Sequence, residues 1–304
     1  MSAFDRQTIL SLGAGVQSTV LLMLSAQGEL PRLDGAIFAD TGWEPRAVYT
    51  HLDRLEREVA WPAGIPIYRV SVGNIRHDAL DPTHRFASMP LFVRNPDGSR
   101  GMARRQCTAE YKVRPIKEQV RRLLGARDKP NGRPGQPPKG AQVTQWIGIS
   151  TDEFHRAKDS GVSYIRHVFP LLDIGWSRQH CLDYLAASGW ATTPKSACIG
   201  CPFHHDSQWR DLRDNHPQEW ADAVEFDADI RRHSARANAQ GQELRGDMYL
   251  HGSLLPLAEA PLNRQTRVER DGGVQMMFGD PDEFTCSPFS CRGDESTQYV
   301  RESL

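Results

Sequence analysis

The sequence predicts a doubly wound α/β fold, with a mostly parallel sheet, followed by a helical C-terminal region and an irregular tail. Two observations carry this. Short apolar runs alternate with helix-length stretches through the first third of the chain, the pattern of strands joined by right-handed helical crossovers. Beyond residue 205 strand-like runs give way to acidic, helix-like sequence and then to weak periodicity.

Taken in order, Thr8–Leu12 is a short apolar run that ends in glycines, and Gln17–Gln27 follows it as a helix. Gly35–Ala39 is a second buried strand, and a charged amphipathic helix runs over Arg46–Val59. Ile67–Val72 alternates as a third strand. Residues 125–140 hold four Pro and four Gly with Arg127, Lys129, Arg133 and Lys139, the composition of a flexible basic loop. Strands resume at Val143–Ile149 and near Tyr164–Val168. Ser177 is an N-cap for a helix with Cys181, Leu182, Tyr184 and Leu185 on its apolar face. Two acidic helices occupy 206–240, with Trp209, Leu212, Trp220 and Val224 as expected anchors. The expected division is a nucleotide-binding domain over 1–205 and a helical extension with an acidic tail over 206–304.

Formal net charge is −1, but it is segregated. Arg94–Lys139 carries 13 basic and 4 acidic residues, Asp206–Ile230 carries 2 basic and 8 acidic, and Asp271–Leu304 carries 2 and 7. A basic block in a neutral chain implies a local anion site rather than general polyanion affinity. No apolar run is long enough for a membrane span and no secretory signal is visible, so a cytoplasmic protein is expected. Six cysteines in such a chain point to metal or redox chemistry rather than disulfides.

Ser11-Leu12-Gly13-Ala14-Gly15-Val16-Gln17-Ser18-Thr19 joins the first strand to the first helix. Glycines let backbone approach a ligand, and the helix N-terminus offers N–H groups and partial positive charge to a phosphate. No Lys stands there, so a Walker loop fails. A dinucleotide fingerprint finds Ser18 where it wants a third glycine, although Asp40 ends the second strand where its acid would stand. Cys198-Ile199-Gly200-Cys201 is a C-x-x-C that can grip zinc, an iron–sulfur cluster or a redox pair, and for zinc His204 or His205 would add ligands.

Five segments together resemble the adenylyl-sulfate and phosphoadenylyl-sulfate (PAPS) reductase family of the pyrophosphatase-loop, adenine nucleotide alpha hydrolase-like superfamily. They are the loop Ser11–Ser18, Ile37–Glu44 with its Asp40-Thr41-Gly42, Cys107–Ile116, Gly148–Ala157, and Phe169–Trp176. They fall in the family's order over about residues 8–205. The resemblance implies ATP, or PAPS or adenylyl sulfate, held by Ser11, Gly13, Ala14, Gly15, Val16, Gln17, Ser18, Thr19, Thr41 and Gly148. It places Lys112, Arg114 and Arg156 as phosphate-binding cations, and Asp40 and Glu153 as ribose or Mg²⁺ contacts.

The chain departs from the family at Gln17, where the common loop has Asp, and at Ser150, where the usual block has Arg. It also lacks the C-terminal E-C-G-x-H, whose nearest counterpart is Cys286-Ser-Pro-Phe-Ser-Cys291, a candidate sulfur-relay or redox pair. By resemblance, Cys107, Cys198 and Cys201 would be three ligands of a [4Fe–4S] cluster, an arrangement similar to that of cluster-dependent tRNA thiolation enzymes. The implied activity is sulfur transfer or reduction. Expected partners are a tRNA or DNA acceptor, a sulfur donor or thiol reductant, and further copies of this chain in a homo-oligomer. A zinc-stabilised, non-catalytic nucleic-acid or partner-binding module is the rival from another class. Cys181 is expected to be an inert core residue.

Overall fold

The computed structural model describes residues 7–81, 83–84, 89–232 and 246–263. The first half runs β1 (Thr8–Ser11), α1 (Val16–Ala26), β2 (Gly35–Asp40), α2 (Arg46–Leu55), β3 (Ile67–Ser71), α3 (Ile75–Leu80), β4 (Phe92–Arg94), β5 (Arg100–Met102) and α4 (Arg114–Leu123). It continues through β6 (Val143–Trp146), β7 (Ile165–Val168), α5 (Pro170–Asp173), α6 (Arg178–Ala187), α7 (Asp206–Asn215), α8 (Pro217–Arg232) and β8 (Asp247–Tyr249). π-helical turns extend α2 over Glu56–Ala60 and lead into α4 over Thr108–Val113.

Five strands form a parallel sheet in the order β3-β2-β1-β6-β7. Successive strand residues point to opposite faces, and the two faces bury different cores. Leu10, Ala36 and Phe38 pack with Leu21, Leu52 and Leu185 from α1, α2 and α6. Ile9, Ile37 and Ala39 pack with Ile116 and Val120 from α4. Each such Leu or Ile, fully buried, contributes about 1.5–3 kcal/mol. The chain is therefore α/β with helices covering both faces of a parallel sheet, an arrangement compatible with double winding.

Most predicted elements stand within a few residues of their expected places, and the differences have physical reasons. β6 ends at Trp146 rather than Ile149, because Gly148 turns toward α1. Ser177 caps α6 as expected, its Oγ accepting from His180 N. The basic loop is irregular but anchored: Arg133 pairs with Glu118 on α4 at 2.8 Å, and Arg122 pairs with Asp128 at 3.3 Å.

A small antiparallel sheet, β5-β4-β8, was not foreseen. It shares a core with α7 and α8, in which Trp209, Phe226, Ile230 and Met248 meet Trp43, Ile75, Leu91 and Tyr111. This core spans both sides of residue 205. Trp209 and Leu212 anchor α7 as expected, but α8 is anchored by Ala223, Phe226 and Ile230, with Trp220 and Val224 only partly buried. That stripe follows the helical spacing of one buried face. Asp227 on the same face accepts from Leu250 N and Leu257 N, each at 2.8 Å, and so ties the segment after β8 to α8. Among the described residues no helix is long and apolar enough to cross a membrane. Cys286, Cys291 and the acidic tail lie outside the described residues.

Candidate functional site

In the sheet order, β1 and β6 are neighbours whose chains continue to opposite sides, β1 toward β2 and β6 toward β7. Loops leaving the C-terminal ends of two such strands diverge and open a crevice, the usual ligand position of open parallel sheets. A cleft lies there, lined by Ser11, Gly13 and Gly15–Ser18 from the first loop and by Gly148 from the second. Arg178, Lys195 and Ser196 complete its wall.

The loop is shaped by close approach. Ala14 is fully buried in left-handed backbone at φ +54°, a conformation that costs a residue with a Cβ about 1–2 kcal/mol. Ser18 Oγ accepts from Gly13 N and donates to Gly15 O, both at 3.2 Å, and so braces the turn. A Cβ on Gly148 would stand 3.0 Å from Ser18 N, so glycine lets the end of β6 pass against the first turn of α1. That turn begins at Gly15 with no side-chain cap and no acidic residue. Its N–H groups and the helix dipole can therefore serve an anion. Ser11 Oγ, buried at the cleft, has no hydrogen-bond partner among the described residues.

Not every predicted nucleotide contact reaches this cleft. Thr19 is fully buried and its Oγ1 meets His51 Nε2 at 2.9 Å. Asp40 Oδ1 accepts from Gly42 N at 2.7 Å and from Tyr49 OH at 2.8 Å, holding the turn after β2. Glu153 and Arg156 form a buried ion pair, and Gln17 Nε2 donates to Glu153 Oε2 at 3.2 Å and to Ser150 Oγ at 3.4 Å. Arg114 is largely exposed and stands 3.7 Å from Glu118. Conversely, Arg178, Lys195 and Ser196 were missed. Their signal was weak but present: Lys195 and Ser196 stand one residue, Ala197, before the C-x-x-C segment, and Arg178 opens a capped helix.

Cys107, Cys198 and Cys201 come together on the wall of a second, narrow cavity, with Thr41 and Lys112. Ile75, Met89, Pro90 and Phe203 make its walls mostly apolar. Thr41 and Lys112, expected near the phosphates, thus stand with the thiols. Thr41 Oγ1 is 3.3 Å from Cys198 Sγ and donates to Glu44 Oε1 at 3.1 Å. Buried Lys112 Nζ pairs with Glu44 Oε1 at 3.3 Å. The C-x-x-C closes as a turn, Cys201 N donating to Cys198 O at 3.1 Å, and Ile199 N donates to Trp43 O at 2.9 Å. Gly200 is sterically required, since a Cβ there would meet the Trp43 ring at 2.1 Å.

Among the described residues no group of three His, Cys, Asp or Glu side chains is placed to hold a single metal ion. A cubane cluster instead takes one thiolate per iron, so its cysteines ring a pocket rather than converge on a point. Three thiols on mostly apolar walls suit such a soft centre in chemical type. His204 is committed elsewhere: its Nε2 is 2.9 Å from Cys198 O and 3.2 Å from Ile199 O. Burial, with the Lys195 charge nearby, lowers its pKa to about 4, so the ring is neutral and donates there. His205 caps α7. Cys181 is fully buried in the main core, as expected.

No family model matches the chain, and no curated protein matches it.

Proposed function

We propose that the chain is a pyrophosphatase-loop enzyme that binds ATP or an adenylated substrate in the switch-point cleft and carries out sulfur transfer or reduction. The favoured reaction is thiolation of a nucleic acid or small acceptor through adenylation. One observation supports this above the rest. Ser196 lines the cleft and Cys198 lines the thiol cavity, two residues apart on one segment. Two residues of chain span at most about 7 Å, so a substrate activated in the cleft is presented beside the thiols.

The cleft supplies what adenylation needs. An acceptor oxygen attacks the α-phosphorus as pyrophosphate leaves, and the charge that develops is met by first-turn N–H groups of α1 with Arg178 and Lys195. A sulfur nucleophile then displaces AMP, the C–S bond forming as the C–O bond breaks. Cys107, Cys198 and Cys201 would hold a [4Fe–4S] cluster, which when bound supplies an open iron position for sulfur. Lys112 offsets the Glu44 carboxylate and, with Thr41, fixes the polar edge of the thiol cavity. In this reading the basic block around Cys107 receives a tRNA or DNA backbone, the work is cytoplasmic, and Cys286 and Cys291 relay sulfur.

Anaerobic purification with iron, zinc and acid-labile sulfide analysis tests the reading, together with pyrophosphate release from ATP. The expected protein is brown, with iron and sulfide present. Stoichiometric zinc without visible absorption overturns the cluster assignment and favours the non-catalytic module. Deletion of residues 280–304 should lower turnover, and unchanged turnover removes the relay.

A further inference from the structure

We propose that the groove between α2 and the α7–α8 elbow is a second anion site, which takes a phosphate group through the Arg46 guanidinium and the Nδ1–H of His51. The groove shares no lining residue with the switch-point cleft or the thiol cavity, so the proposal holds or fails independently of the function assigned to those two.

His51 carries the inference. Its ring is 7% exposed, meets the Trp190 ring edge-on at 5.5 Å, and lines the groove. Its Nε2 lies 2.9 Å from Thr19 Oγ1, a fully buried hydroxyl with no other hydrogen-bond partner among the described residues. A buried hydroxyl proton needs an acceptor, and Nε2 is the one at hand, so Thr19 donates and Nε2 accepts. Burial, with the Arg54 charge nearby, lowers the ring's pKa to about 4. Near neutral pH the imidazole therefore holds one proton, and that proton sits on Nδ1. Among the described residues Nδ1 has no partner, and it is not sealed from solvent. An almost wholly buried ring thus aims one unpaired donor into the groove.

The rest of the groove matches an anion. Two helices of ten and sixteen residues, α2 and α8, begin there, and the N–H groups and dipole of a helix start favour negative charge and phosphate in particular. Arg46, the first residue of α2, is exposed, and its guanidinium has no partner among the described residues. Thr50, one turn further along α2, adds a hydroxyl, and Gln218 adds an amide from α8. One carboxylate lines the groove as well: Glu219 Oε1 accepts from Arg46 N at 2.7 Å and so caps α2. Arg54 belongs to the wall, its guanidinium 3.8 Å over the Trp190 ring and 2.7 Å from Glu58. One guanidinium and one imidazole N–H suit a single phosphate group rather than a polyphosphate chain, borne by a small molecule or by a nucleic-acid backbone.

Nitrogen NMR of the full chain, isotopically labelled at histidine and titrated with inorganic phosphate and with an oligo-dT strand, tests this. The His51 signals are assigned through their proximity to the Trp190 ring. His51 is expected to carry its proton on Nδ1 in the free protein, and phosphate is expected to shift that nitrogen saturably. Arg46→Ala, at an exposed position, should weaken the response about tenfold, the effect of one charge-assisted contact. A response to inorganic phosphate alone supports the site and assigns it to small phosphate compounds. A tighter, Arg46-dependent response to oligo-dT supports it and assigns it to the nucleic-acid backbone. A proton on Nε2 in the free protein, no shift with either probe, or an equal response in Arg46→Ala overturns the proposal.

Discussion

The side-chain amide of Gln17 donates to the Glu153 carboxylate across 3.2 Å, and both side chains are buried. The bond couples the first turn of α1 to the short helical turn after β6, so the two walls of the cleft are held in register. Gln17→Asp removes the donor and sets a second carboxylate beside Glu153. Buried polar groups left unpaired cost about 1–3 kcal/mol, and like charges add to that. Urea denaturation should show a loss on the order of 2 kcal/mol. Because Glu153 also pairs with buried Arg156, Glu153→Gln is destabilising by itself, and the coupling is read from a double-mutant cycle: the two losses should be non-additive, and strict additivity would disprove the coupling.

Gly200→Ala is a steric test of the C-x-x-C turn. Its Cβ would stand 2.1 Å from the Trp43 ring, too close for either group to keep its place. Overpacking of this kind costs about 1–3 kcal/mol, and the displaced turn should alter the thiol cavity. Chemical denaturation measures the first effect. Titration of Cys198 and Cys201 with a thiol reagent measures the second, and unchanged accessibility would show that Trp43 does not brace the turn.

Acid should destabilise the protein through two buried histidines. Burial, with Arg54 nearby, lowers His51 to about 4, and burial, with Lys195 nearby, lowers His204 to about 4. Their ordinary value is about 6.5. The unfolded chain therefore binds protons that the folded chain refuses. The stabilisation is fully present above pH 6.5 and is lost as the pH falls toward 4. Each group accounts for a loss on the order of 3 kcal/mol. The melting temperature should drop across this window, and His204→Gln, which keeps a donor for Cys198 O, should make the drop shallower. An identical slope would remove His204 as a cause.

Alkylation should discriminate among the cysteines. Burial, reinforced by the Asp152 charge, pushes the Cys181 thiol up to about 12, and the thiolate is the reactive form. Cys107 and Cys201 are only partly buried. Brief iodoacetamide treatment of the native, reduced protein followed by peptide mapping should label Cys107 and Cys201 well before Cys181. Early modification of Cys181 would show that its part of the core opens readily.

The parallel sheet was legible because its apolar runs are separated by sequence that changes period. Val16–Leu24 and Gly35–Ala39 advertise a buried helix and strand by composition alone. The small sheet was not, since β4, β5 and β8 have three residues each, too few to show alternation. The Pro96-Asp97-Gly98 turn between β4 and β5 was a readable hairpin signal, but β8 pairs from far along the chain. At the candidate site, glycine turns and a C-x-x-C identify themselves by spacing. Lys195 and Ser196 do not, because an irregular segment has no period and a cation in it looks like any surface charge. Lys112 stood out in its motif, yet only the tertiary arrangement reveals that it faces the thiols through Glu44.

The strand order also dictates a sequence of events as the chain emerges from the ribosome. β1 is made first and lies at the centre of the sheet, with β2 and β6 on its two sides. β2 arrives at once, but β6 follows only after α4 and the basic loop, and the C-x-x-C turn later still. One edge of the central strand thus stays bare through much of synthesis. The glycine loop acquires its opposite wall only as residues 148–196 leave the exit tunnel, and Cys107 its companion thiols only with Cys198 and Cys201. Nascent chains halted before that point carry the loop and a lone thiol without the enclosure that either needs.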